Sequence, residues 1–233
     1  MTSTARSSCI VALGGGRGHR QRARAIAEMI GGDVQIIDQR SVEGYSPADL
    51  RAELLGHDAT TLIVDTFPAG VAGEIDTEVL AHFERTILIR RYIRPGTYAE
   101  YDDAIARYGE HWIPYHRHEC EWGGIDGRYV GPLTRTLGFD GEADVLLIGD
   151  RGLLPWALPP GATTICGPFS TLPKARATIS VGAGHNITYE LRALGARAGF
   201  VPLPRRYDDQ YRRADRFGCG LFRRADYERL LAR

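Results

Sequence analysis

Apolar runs of strand length alternate with segments of helical character along most of this chain, and glycines punctuate the joins. Residues 9–13, 34–37, 61–64 and 86–89 each read as a short buried strand. Residues 23–30, 47–55 and 75–83 between them have helical character. Gly31-Gly32 stops the first helix and Ser46 is placed to N-cap the second. Such alternation is the signature of a parallel α/β sheet. From 94 to 108 the pattern turns polar and Tyr-rich (Tyr98, Tyr101, Tyr108), compatible with a helix or a lid. Residues 113–114 and 129–130 read as short strands around a His- and Gly-rich loop. Gly131-Pro132 then breaks the chain and marks the expected boundary, with an N-terminal Rossmann-like domain over 1–130 and a compact C-terminal domain over 131–233. The second half restarts the alternation, with strands at 145–148, 163–166, 178–181 and 200–202 and helices at 186–194, 209–216 and 226–231.

A chain of 233 residues is long enough for one large or two small α/β domains. Lys+Arg and Asp+Glu both number 29, so no overall charge field points to a nucleic-acid partner. Lys174 is the only lysine, which reads as coding bias rather than recognition chemistry. Cys9, Cys120, Cys166 and Cys219 are far apart, and no pair has metal-ligand or redox spacing. A reduced, cytoplasmic setting is the expectation. No apolar run approaches the ~20 residues that cross a bilayer, so no transmembrane segment is expected.

The chemistry concentrates in Gly-rich loops. Gly14-Gly15-Gly16-Arg17-Gly18-His19 follows the first strand directly. Gly15, Gly16 and Gly18 would let the backbone approach a ligand, with the next helix aiming its N–H groups at the same spot. A phosphate or another anion is the expected guest, with Arg22 a candidate to face it. His19 sits where an imidazole can move a proton near neutral pH. The spacing is not the dinucleotide fingerprint, and Asp38 is weak support for a ribose contact. Asp65-Thr66-Phe67-Pro68-Ala69-Gly70-Val71-Ala72-Gly73-Glu74 supplies two further carboxylates. Asp65 ends a buried strand, where a charge is costly unless solvated or paired. Asp65 or Glu74 could assist proton transfer, or the stretch could be a capped βα turn.

The second loop, Gly182-Ala183-Gly184-His185-Asn186, opens a helix carrying Glu190, placed about one turn inside it. Asp209 and Gln210 open the helix after the next strand, either at a cleft edge or as simple N-capping residues. The cluster His111, His116, His118, Glu119, Cys120 and Glu121 lacks trustworthy zinc spacing, so no metal is assigned.

These residues resemble a known family. Gly14–His19 looks like the Gly-Gly-Thr-Gly-Gly-His loop of lipid-II-forming N-acetylglucosaminyltransferases, with Arg17 in place of a glycine. Residues 65–74 resemble the Asp-x-Phe-Pro-x-Gly-x-x-Gly-Glu motif of related predicted glycosyltransferases. Residues 179–214 resemble the donor half of glycosyltransferase family 28. The resemblance implies a GT-B fold, two Rossmann-like halves facing a cleft, with the C-terminal half truncated here. It implies a nucleotide-sugar donor held by Gly182, Gly184, His185, Asn186, Glu190, Asp209 and Gln210. Within that set, Glu190 matches the residue that holds the ribose, and Asp209-Gln210 the pair facing the donor sugar. It implies metal-independent transfer of the sugar to an acceptor, small or lipid-linked, with His19 or Asp65 as base and no cofactor beyond the co-substrate. Gly149-Asp150-Arg151-Gly152 looks like the remnant of a further Gly-rich loop, and a homodimer would complete a shortened cleft. Two other activities fit the same residues. Nucleotide-sugar hydrolases of this fold share the Gly-His-x-x-Arg spacing of Gly18–Arg22, and shortened relatives serve as non-catalytic subunits of larger transferases.

Overall fold

The computed structural model describes residues 7–13, 17–38, 46–91, 101–119, 126–205 and 208–232, with Arg17 and Glu119 described through their backbone alone. Gly14, Gly15, Gly16, Tyr98, Cys120 and Glu121 therefore lie outside the described residues, as do residues 94–100 of the Tyr-rich stretch. The chain divides into two units, Met1–Arg135 and Thr136–Arg233. Each is α/β with one parallel sheet among its described residues.

Unit 1 runs β1 (Ser8–Ala12), α1 (Arg17–Ile30), β2 (Val34–Asp38), α2 (Pro47–Leu55), β3 (Thr61–Asp65), α3 (Thr77–His82), β4 (Arg85–Ile89), α4 (Asp102–Ile105), β5 (Glu110–Ile113) and β6 (Arg128–Tyr129). The strands are short and apolar because both faces of the sheet are covered. Cys9, Val11, Leu62, Val64 and Leu88 face Leu50 and Leu54 of α2 and Val79 and Leu80 of α3. Their strand neighbours Ile10, Ala12, Ile63 and Ile87 face the other way, onto Ala23 and Ile26 of α1. Ser46 caps α2 as expected, accepting from the Asp49 amide at 3.3 Å. Asp76 caps α3 in the same way.

The six strands lie in the order β2-β1-β3-β4-β5-β6, all parallel. The chain leaves β1 in one direction and returns past it to β3. Ligands of open α/β sheets bind at such a reversal, beyond the carboxyl ends of the strands. α1 begins at this edge, and Asp65 is the last residue of β3.

Unit 2 runs β7 (Gly138–Ile148), β8 (Thr163–Ile165), β9 (Thr171–Val181), α5 (His185–Ala193), β10 (Ala198–Val201), α6 (Gln210–Arg216) and α7 (Arg224–Ala232). Its strands, in the order β10-β9-β7-β8, are again parallel. The relation of β8, β7, β9 and β10 repeats that of β2, β1, β3 and β4, so the units share one winding. Only a 3-10 turn, Arg151–Leu153, lies between β7 and β8, where unit 1 has α1. Both β7 and β9 begin earlier than their apolar runs, and residues 138–144 of β7 are mostly exposed. No helix of the described residues is long and apolar enough to cross a membrane.

Phe200 of β10 is 1% exposed and packs with Leu146, Leu191 and Ala214, while its backbone bonds to Cys219 and Leu221. Phe200→Ala is expected to cost about 3–5 kcal/mol through lost burial and the cavity left behind. Urea denaturation would show the loss in the transition that carries unit 2.

Candidate functional site

Asp65 is wholly buried at the carboxyl end of β3. A carboxylate there persists only with strong partners. Its Oδ1 accepts from Arg22 Nε at 2.7 Å and from the Thr66 hydroxyl at 3.0 Å. Its Oδ2 accepts from Arg22 Nη2 at 2.7 Å and faces His19 Nδ1 at 2.7 Å. Arg22, itself 1% exposed, therefore grips the carboxylate with both arms of its fork. His19 and Arg22 reach the same group because residues three apart share one face of α1.

The electrostatics assign the roles. Burial pushes the Asp65 pKa up, but the charges and hydrogen bonds of Arg22 and His19 outweigh it and hold the carboxyl well below the usual carboxylate range. Burial pushes the His19 pKa down; Asp65 opposes this, Arg22 and Arg91 add to it, and the net shift is downward. His19 is therefore neutral near pH 7. Facing an ionised oxygen, its Nδ1 carries the proton, which leaves the Nε2 lone pair as the basic site. The pair has the logic of the carboxylate–imidazole arrangement in hydrolytic triads, where the carboxylate orients the base and does not itself accept the proton. Asp65 and His19, the two bases the sequence offered, are thus joined by one hydrogen bond, with the carboxylate committed to Arg22 and Thr66 as well.

The backbone is strained beside it. Thr66 has φ 78°, the only positive φ among the described non-glycine residues. That conformation costs a β-branched residue on the order of 1–3 kcal/mol, and such outliers cluster at functional sites. The Phe67 ring lies 5.7 Å from the His19 ring, over which it packs at a tilt.

Other expected residues have different work. Glu74 was a candidate for proton transfer. Its carboxylate instead folds over Gly70 and accepts from the amides of Val71 at 2.8 Å and Ala72 at 2.6 Å. A Cβ on Gly70 would stand 2.3 Å from the Glu74 carboxyl carbon, so the glycine is what admits it. Glu74 shapes the loop after β3. Arg22, expected to face a bound anion, is turned inward onto Asp65. Arg20 pairs with Asp38 at 3.0 Å. Gly18 lies in the first turn of α1, while Gly15 and Gly16 are outside the described residues.

In unit 2 the corresponding strand end is a braced turn. Gly182 has φ 95° and donates to Val201 O at 2.7 Å. Gln210 Oε1 accepts from Ala183 N at 2.8 Å and Leu203 N at 3.0 Å. Arg213 donates to Ala183 O at 2.6 Å and pairs with Asp208 at 2.6 Å. Asp209 caps α6 by accepting from the Arg212 amide at 3.1 Å. The Asp209-Gln210 pair expected to face a donor sugar is thus occupied in capping and bracing. Glu190, expected at a ribose, is buried, as are His185 and Asn186, with the His185 ring 4.8 Å from that of Tyr189. Gly184 gives α5 no side-chain cap. Gly149, after β7, lies across from this turn, where a Cβ would come 3.0 Å from the Val181 Cβ.

His111 bonds to Ile105 O at 3.0 Å, and His116 and His118 stack on each other at 5.6 Å. Among the described residues no group of three or more His, Cys, Asp or Glu side chains is placed to hold a metal ion. Two contributors to the unit 1 site, Thr66 and Arg91, went unnoticed in the sequence. The one available signal for Arg91 was a charged pair, Arg90-Arg91, directly after a mostly buried strand.

Comparison with protein-family models, with curated proteins and with solved structures gave no match.

Two outcomes follow from this geometry. Folded His19 binds fewer protons than unfolded His19, so stability is full above about pH 6.5 and falls as pH drops below it. Asp65, also depressed, adds a loss that begins only below about pH 4. His19→Asn is expected to flatten the first decline and leave the second, as read by urea melts across pH. In unit 2, Gln210→Leu orphans the amides of Ala183 and Leu203 and is expected to cost about 1–3 kcal/mol for each. Gln210→Glu keeps the acceptor and should recover much of that loss in the same melts.

Proposed function

We propose that this chain is a metal-independent glycosyltransferase of the GT-B type, resembling glycosyltransferase family 28, with its base in unit 1 and its nucleotide-sugar donor on unit 2. The observation that carries this reading is the His19–Asp65 pair at the strand-order reversal of unit 1. Asp65 fixes the ring so that Nε2 takes the proton of an acceptor hydroxyl as its oxygen attacks the anomeric carbon and the nucleoside diphosphate departs. Neutral imidazole is the form that can accept that proton, and the buried surroundings of His19 keep it so.

Support for the donor side is coarser. Unit 2 repeats the winding of unit 1, and its reversal lies between β7 and β9. With no α-helix between β7 and β8, α5 is the helix that opens beside that reversal, directly after the Gly182 turn. Its uncapped first turn gives amide N–H groups and a positive dipole end, which suit the leaving diphosphate without a metal. The donor contact is then made by backbone at Gly182–His185, with Gln210 and Arg213 holding that backbone in shape.

The test is His19→Ala, assayed by nucleoside diphosphate release from a panel of nucleotide-sugars with and without candidate acceptors. A loss of about 10²–10⁴-fold in turnover is expected, the range for a positioned general base. Donor binding, followed by thermal shift, should be unchanged. Unaltered turnover would remove His19 from the chemistry. Full sugar release into water without any acceptor would replace transfer with hydrolysis by the same pair.

A further inference from the structure

The carboxyl end of β4 holds a buried polar atom without a hydrogen bond. Arg90 follows β4 directly, and its Nε is sealed from water with no hydrogen-bond partner among the described residues. No other hydrogen bond or ion pair of its side chain is found among those residues. The backbone there is pinned from both sides. Arg90 N donates to Trp112 O of β5 at 2.8 Å, and Ile89 O accepts from Thr66 N, just past β3, at 3.2 Å. Leu88 packs in the core under α2 and α3, and Ile89 in the core under α1. Alternation along the strand therefore sets residue 90 on the face of Leu88. Ligands of parallel α/β sheets bind at this carboxyl edge.

The other end of β4 shows what such a group does with a partner. Arg85 reaches Glu110 through Nε at 2.6 Å and Nη2 at 2.8 Å, the side-on fork that fits two oxygens of one carboxylate. Arg22 holds Asp65 with the same two nitrogens. Arg90 has the same fork and, among the described residues, no carboxylate to fill it. The carboxylates of β3 and the loop after it are committed elsewhere, Asp65 to Arg22 and His19, and Glu74 to the Val71 and Ala72 amides. An arginine that merely covers the rim of a core keeps its whole head in water. The Nε of Arg90 is out of water, and a buried N–H is costly until an acceptor reaches it.

We infer that Arg90 is an oxyanion-binding residue, which takes a phosphate-like or carboxylate group of a small molecule side-on through Nε and Nη2. Two oxygens of the guest supply the acceptors that the fold leaves out. The Nη groups are not sealed as Nε is, so the guest meets them first, and rotation about the last side-chain bonds brings Nε onto it. The subsite lies on the sheet face opposite the one from which α1 reaches Asp65. Oxyanion capture by Arg90 stands whatever reaction His19 performs.

The experiment is NMR of the arginine Nε–H groups in the whole protein, with the Arg90 signal assigned through its side-chain carbons. The protein is titrated at constant pH with inorganic phosphate, with acetate and with chloride at matched ionic strength. Phosphate, acetate or both are expected to move the Arg90 signal saturably and to slow its exchange with water, while chloride leaves it in place. Which of the two acts tells a tetrahedral guest from a planar one. Arg90→Lys keeps the stem and the charge but loses the fork. In that variant the affinity, followed by the backbone amides of residues 89–91, should fall about tenfold or more, as expected when a charge-assisted hydrogen bond is lost. An Arg90 signal unmoved by both oxyanions, or moved equally by chloride, overturns the inference, as does an affinity unchanged in Arg90→Lys. A signal protected from exchange in every buffer reports a trapped water as the partner and overturns it too. None of these readings uses turnover, so they are separate from the His19→Ala assay.

Discussion

A carboxylate with no exposure to water is the feature on which unit 1 depends. Asp65 can stay ionised at the end of β3 only because Arg22 and His19 reach it from α1. Removing one partner of such a buried pair typically costs about 3–5 kcal/mol, far more than a surface ion pair contributes. The requirement fixes several things together. β1 and β3 must be neighbours, so that the helix following β1 lies beside the end of β3. α1 must be turned so that its positions 19 and 22 both point at Asp65, which places Ala23 and Ile26 on the sheet. The strand order, the rotation of the helix and the orientation of the imidazole are consequences of satisfying one charge.

Unit 2 shows what the same winding does without such a charge. β9 ends at Val181 where β3 ends at Asp65, and no helix stands in the place of α1. The turn after the strand is held from the other side, by Gln210 and Arg213 of α6. Those bonds go to backbone atoms, so they fix the course of the chain rather than the direction of a side chain. A braced backbone with amides at a helix start suits recognition of an anion by position. A buried ion pair with one partly free imidazole suits proton transfer.

The strands and most helices were legible because their cause is local. Burial on both faces of a parallel sheet demands apolar runs, and a helix such as α2 announces itself by Ser46, Pro47 and a spaced pair of leucines. The early halves of β7 and β9 were not legible, since exposed residues such as Glu142 and Lys174 pair across the strands and leave no apolar signature. At the site the residue types were legible and their roles were not. His19 and Asp65 stood out by position. That Asp65 stays ionised beside His19 depends on Arg22, whose side chain points inward for a reason visible only when β3 is set beside α1. Arg91 belongs to the site through pairing of β4 with β3, a relation between residues far apart in the chain.

Motif membership therefore divides into groups whose bonding is already spent and groups with an atom left to react. Both oxygens of Glu74 hold loop amides. Asp209 holds the start of α6, and the Gln210 carbonyl holds two amides of its own unit. Asp65 is spent as well, on three side chains. His19 is different, because one ring nitrogen is committed and a neutral imidazole has a second of opposite character. An acceptor is created at Nε2 by the same bond that consumes Nδ1. Carboxylates dominate the sequence signal in the stretch from Asp65 to Glu74, but their burial drives them into structural bonds. The uncommitted basic lone pair therefore lies on α1 rather than in the motif that follows β3.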